Sequence, residues 1–219
     1  MTTTQTGATT AISTTAISTT ASPTSAGPAM ESATRATAST GTDEQAADPA
    51  PPALTGERAD LLANLARRRA FLRFTVQNLD DEQASRRTTV SELTLAGLVK
   101  HVAVVEQRWL NFVLVGAAAF DGDMTAREEE FRDGFRLLPG ETLAGMLDRF
   151  DEVARRTERI VAEVADLDDA HPLPVAPWFE PGASWSVRQV LLHLIAETAH
   201  HCGHADILRE SLDGARTMG

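Results

Sequence analysis

The chain has 219 residues, 42% of them hydrophobic, which suits one domain with a proper core, and a formal net charge of −11. That acidity argues against nucleic acid, whose binding surfaces are basic. A single cysteine, Cys202, excludes an internal disulfide. No apolar run of about 18 residues marks a membrane span, and the N-terminus lacks a secretory pattern, so a cytoplasmic protein with no membrane partner is expected.

Residues 1–52 are built from Thr, Ala and Ser, with the near-repeat AISTTAISTTAS at 11–22, and end in the breaker ADPAPPA. Such a segment buries too little apolar area to offset its ordering entropy, so a disordered tail is expected ahead of a domain over 53–219. Leu61, Leu65, Leu72 and Val76 then recur at helical spacing and predict a first helix up to about Asn78. Arg67, Arg68 and Arg69 fan around it, and most of their charge is expected in solvent. A polar linker over Asp80–Thr89 leads to Ser91, the expected N-cap of a second helix running to about Val115. Its apolar stripe is Leu98, Val102, Val105, Trp109 and Phe112; His101 borders that stripe, while Glu106 falls off it and is expected to pair with a surface arginine.

Gly116–Gly140 is a long connection carrying Phe120, Phe131 and Phe135, with a short helix expected near Ala126–Arg132. A third helix follows Pro139-Gly140, with Leu143, Met146, Phe150, Val153, Ile160 and Val161 on one face and a charged surface opposite. Asp166–Ser184 is irregular and proline-rich, and a fourth helix runs from Ser184 to the Asp213-Gly214 stop. No segment alternates as a strand. The expected fold is all-α, a four-helix bundle with long connections, whose sites would be built from side chains on facing helices.

The fourth helix concentrates the chemistry. Four of the six histidines lie in it, in the pattern H-x-x-x-E-x-x-H-H-x-x-H formed by His193, Glu197, His200, His201 and His204. At about 100° per residue these five share an arc of about 100° on the same side as Val190, Leu194 and Leu208. A carboxylate on an apolar face costs several kcal/mol unless it is paired or binds a metal. Residues four apart on a helix can chelate one ion, a spacing met by His193 with Glu197, by Glu197 with His201 and by His200 with His204. His193 and His201 are about 12 Å apart along the axis and cannot share an ion. The third donor must come from another helix, where His101 is the remaining helical histidine. Spacing alone leaves the register open, and leaves a metal-free His/Glu network as an alternative. Cys202 turns about 100° from His201, with no dedicated base, and reads as a packed, inert thiol.

GLVKHVAVVEQRW at 97–109 and VLLHLIAETAHHCGHADILRE at 190–210 resemble the DinB-like superfamily of four-helix metal-binding bundles, and in particular its actinobacterial "mini-circle protein" branch. The likeness spans about Leu54–Gly214. The superfamily includes mycothiol-dependent maleylpyruvate isomerase and thiol S-transferases. The resemblance implies a metal held by His101, Glu197 and His201, which selects the 197/201 register. HCGH at 201–204 replaces a common HRGQ, so His204 departs from the pattern and is expected as a fourth ligand, an outer-shell donor or a proton shuttle. His193 is expected as a buried structural partner and His200 at the solvent edge. The implied activity is transfer of a small thiol such as mycothiol to an electrophile on a divalent metal, with zinc ahead of nickel, iron or manganese. A non-catalytic, stress-associated metal-binding bundle is the alternative, with metal-dependent hydrolysis behind it. The expected partners are a small thiol and an electrophile, with a homodimer as an allowed assembly.

Overall fold

The computed structural model describes residues 54–122 and 132–217. Four long helices carry the apolar stripes: α1 (Gly56–Thr75), α3 (Leu95–Val115), α4 (Leu143–Glu163) and α5 (Val187–Asp213), with a four-residue α2 (Asp81–Ala84) between the first two. The expected tail over 1–52 lies outside the described residues, as does most of the helix expected near 126–132.

Side chains set the helix starts. Thr94 and Thr142 accept the amides of Gly97 and Gly145 at 3.1 Å, and Ser186 forms a reciprocal capping box with Gln189. Gly214, at φ 80°, ends α5 in the left-handed conformation that glycine tolerates. The second long helix therefore begins at Leu95 rather than after Ser91, whose hydroxyl accepts the Leu93 amide in the preceding turn. Within the expected 80–89 linker, Asp80 and Gln83 form another capping box and start α2.

α1 packs on α5, and α3 lies between α4 and α5. At one end Leu72, Leu98, Val102, Phe150 and Leu208 form the core; at the other Leu65, Trp109, Phe112, Val190 and Leu194 do. Each fully buried Leu or Phe contributes about 1.5–3 kcal/mol. Being central, α3 is the most apolar of the four long helices. With the 3₁₀ turn Gly116–Phe120 that continues it, it is long and apolar enough by length and composition to cross a membrane. The sequence expectation missed this because Glu106, Gln107 and Arg108 break the apolar run into shorter pieces. The helix is packed in the bundle, where 13 of its residues are buried.

The sequence also gave no sign of a strand pair. Ala170–Pro172 (β1) and Ser184–Ser186 (β2) pair antiparallel, with His171 opposite Trp185. Three residues are too few for a period of two to stand out. The pair fixes Trp185 over the end of α3 and sets the His171 ring against Gly116, with its Nε2 3.2 Å from the Val113 carbonyl.

Candidate metal centre and adjoining cavity

Glu197 and His201 lie one turn apart on α5 and face His101 across the interface with α3. Glu197 Oε1 is 3.2 Å from His201 Nε2 and 3.4 Å from His101 Nε2, and the donor atoms of the three residues all lie within 4.8 Å of one another. Both histidines are buried and Glu197 is half-buried. Hydrogen bonds from His101 and then His201 outweigh burial and hold the Glu197 carboxyl far below the usual carboxylate range, so it is ionised.

The His101 ring is itself held. Phe135 stacks on it at 4.0 Å and 20°. The backbone around Phe135 can come this close because residue 97 is glycine: a Cβ there would overlap the Phe135 carbonyl. Thr94 donates to that carbonyl, while Lys100 Nζ donates to the Arg136 carbonyl at 3.2 Å and to Glu141 at 2.6 Å. Sequence periodicity could not reveal this clasp, since its contacts join α3 to an irregular segment.

The rest of the histidine stripe separates by position. His193 lies on the cavity side, half-buried, with its ring 5.0 Å from Trp109 and 5.1 Å from Trp185; burial pushes its pKa down. His204 Nδ1 meets His201 Nδ1 at 3.3 Å, behind the ring whose Nε2 faces Glu197, which places His204 outside the converging set. His200 is exposed at the edge. Cys202 Sγ donates to the Arg68 carbonyl at 3.3 Å, and burial pushes its thiol pKa up.

Two expectations are corrected. Glu106 does pair with an arginine, but in the core: it is 1% exposed and held by Arg69 of α1 and Thr157 of α4. Arg69 is likewise buried rather than solvated. Because α3 lies at the centre, a position off its apolar stripe still faces another helix.

The three donors fit a divalent metal. Bonds of about 2.0–2.1 Å in a tetrahedral shell put neighbouring donors about 3.4 Å apart, the separation seen between Glu197 and each imidazole. Two imidazoles and one carboxylate are a donor set suited to zinc and similar ions, and among the described residues three donors converge, a number that would leave a position open on a tetrahedral ion. Beside the centre lies a cavity of about 380 Å³; His101, Glu197 and His193 form part of its wall, with Trp109, Trp178 and Trp185.

A helical bundle with two histidines and a glutamate from its second and last long helices around one point agrees with the DinB-like resemblance of the sequence. The sequence profile of the mycothiol-S-transferase family, one of the DinB-like families, matches residues 60–214, most of the chain, and the chain belongs to that family. A comparison with curated proteins finds no match.

Proposed function

We propose that this protein is a metal-dependent transferase that joins the thiol of mycothiol to an electrophile, with His101, Glu197 and His201 as the metal ligands. The observation that supports it best is the placement of the donors: they converge at the wall of a cavity, rather than inside sealed core. A divalent ion there, with zinc as the proposed one, would supply the positive charge that keeps a thiol ionised near neutral pH. The chain's own part is to bind and orient. Glu197 brings one negative charge, so the centre would remain net positive toward an anionic sulfur. His193, kept neutral by its surroundings, adds no competing charge to the cavity. The apolar wall formed by Trp109 and Trp185 would shield the reacting pair from water on that side. In the reaction the sulfur forms a bond to the electrophilic carbon, the leaving group departs with the bonding pair, and the thiol proton passes to solvent.

The test is elemental analysis and turnover of the purified protein beside Glu197→Ala and His201→Ala, with mycothiol and monobromobimane as substrates. Near one metal per chain is expected in the parent, with loss of metal by at least about two orders of affinity in each variant and turnover lost alongside. Unchanged metal content in both variants, or turnover that survives removal of the metal, would sink the reading.

A further inference from the structure

All three tryptophans of the sequence line one cavity, although they come from α3 and from a proline-rich segment some 70 residues away. Trp109 and Trp185 stack with centroids 4.6 Å apart at 23°. Phe120 closes edge-on against Trp109 at 5.2 Å, and Phe179 against Trp185 at 5.7 Å. Trp178, at the rim, is 75% exposed, an unusual position for so large an apolar ring unless something covers it. His101 and Glu197 form another part of the wall, so a molecule seated in the cavity against these rings lies beside the candidate metal centre.

Size and chemistry narrow the occupant. A cavity of about 150 Å³ admits a benzene; one of about 380 Å³ holds a two-ring molecule with its substituents. Stacked and edge-on rings favour flat π-faces. The body of mycothiol, a sugar joined to an inositol, carries many hydroxyls that such walls would leave unpaired. A polar alternative adjoins. Sharing Val104, Arg108 and Phe120 with the first, a second cavity of about 310 Å³ is lined by Gln107, Asn111 and Arg149. Gln107 and Asn111 lie about 9 and 15 Å along α3 from His101, a reach suited to a substrate longer than its thiol arm.

We propose that the two substrates are divided between these cavities: the tryptophan-lined one selects flat aromatic electrophiles, and the polar one takes the hydroxylated body of the thiol. This rests on the thiol-transfer reading above. With an aryl halide as electrophile, the thiolate sulfur bonds to the ring carbon, the carbon–halogen bond breaks, and halide leaves with the bonding pair.

Because every tryptophan lines the cavity, intrinsic fluorescence reads its occupancy without any turnover. Titration of the full chain with nitronaphthalene, a flat quencher with no halide to lose, is expected to give saturable quenching. Trp178→Ala, at an exposed position that leaves the fold intact, should weaken it about tenfold. Leu192→Ala, exposed on α5 and outside the cavity, should leave the midpoint within about twofold. Quenching that rises linearly without saturation, or that is the same in Trp178→Ala after allowing for the lost fluorophore, overturns the proposal.

Kinetics then separate the two sites. In Trp178→Ala the KM for chlorodinitrobenzene should rise about tenfold, while those for mycothiol and for the small aliphatic iodoacetamide stay within about twofold. Gln107→Ala should do the reverse, raising the KM for mycothiol alone. A Trp178→Ala variant impaired toward mycothiol and unimpaired toward chlorodinitrobenzene would assign the aromatic cavity to the thiol and overturn the division. Absence of turnover with every electrophile would count against thiol transfer itself, and the quenching result would still decide the aromatic site.

Discussion

Glu106 and Glu197 are two carboxylates turned into the same bundle and met in opposite ways. Glu106 is 1% exposed and closed from both sides: Arg69 reaches it from α1, with Nε 3.0 Å from Oε2 and Nη2 on Oε1, and Thr157 of α4 donates to it as well. A guanidinium is permanently charged and matches both carboxylate oxygens, so this pair is complete. Glu197 meets two imidazoles through one oxygen and borders a cavity. An imidazole, unlike a guanidinium, can lose its proton and present a lone pair to a metal. Burial of a carboxylate therefore does not mark a site; the kind of partner and the access beside it do.

The largest effect should come from breaking the complete pair. Glu106→Gln leaves Arg69 buried without its counter-charge and should cost about 3–5 kcal/mol in urea unfolding. Metal content per folded chain should be unchanged. A Glu106→Gln protein that keeps its stability but loses metal would erase the distinction between the two carboxylates.

Next in size is the partner behind the His201 ring. With His201 Nε2 turned to Glu197, its Nδ1 meets His204 Nδ1 at 3.3 Å. Burial first, then the charges of His200 and His201, push the His204 pKa down, so it is a neutral ring able to accept the Nδ1 proton of His201. That bond would fix the tautomer in which Nε2 is free to coordinate. His204→Ala should lower metal affinity by about 10–100-fold, and His204→Gln, which keeps an acceptor, should recover most of it. Competition with a chelator of known affinity measures both. Equal affinity in His204→Ala and the parent would reduce His204 to packing.

The contrast between these carboxylates also shows what the sequence could carry. The stripe on α5 was legible because donors four apart on an apolar face are a local pattern, and its stop was signalled by Asp213-Gly214; its start was placed at Ser184, where the chain is still in β2, because the capping box of Ser186 with Gln189 went unread. The four long helices were legible for the same reason. Glu106 and Arg69 were misread because their partners depend on where α3 sits: it packs against α4 and α5, and at Glu106 the position off the apolar stripe meets Arg69 of α1 and Thr157 of α4. Phe135 on His101 and Trp185 on Trp109 were out of reach altogether, since they depend on Gly97 letting backbone approach and on a three-residue strand pair.

A smaller effect tests the clasp that keeps Phe135 on His101. Burial alone would raise the pKa of Glu141, but Lys100 and the Leu138 amide outweigh it and hold the carboxyl below its ordinary 4.5. With the folded pKa depressed, the stability this group contributes is full above about pH 4.5 and is lost as the pH falls through the lower folded value. Glu141→Gln should cost about 1 kcal/mol at pH 7 and flatten the acid limb of stability against pH below 4.5. A steeper acid limb in the variant would show that the carboxyl is not held low by these partners.

The smallest effect is expected at Cys202, the one thiol in the chain and the neighbour of His201. If transfer used a thiol of the protein itself, Cys202 would have to be that group, and Glu197 would then need no metal beside it to explain the site. The geometry points the other way. One residue along a helix turns Cys202 about 100° from His201; its Sγ donates to the Arg68 carbonyl of α1, and burial pushes its pKa up and keeps it protonated. A protonated, packed thiol is a poor nucleophile. Cys202→Ala should therefore cost about 1 kcal/mol of packing and leave metal content and turnover within about twofold. Iodoacetamide should label the folded parent slowly and the urea-unfolded chain fast. Loss of turnover in Cys202→Ala with the metal retained would move the nucleophile onto the chain, and the open carboxylate would then be serving a different reaction from the one its neighbours suggest.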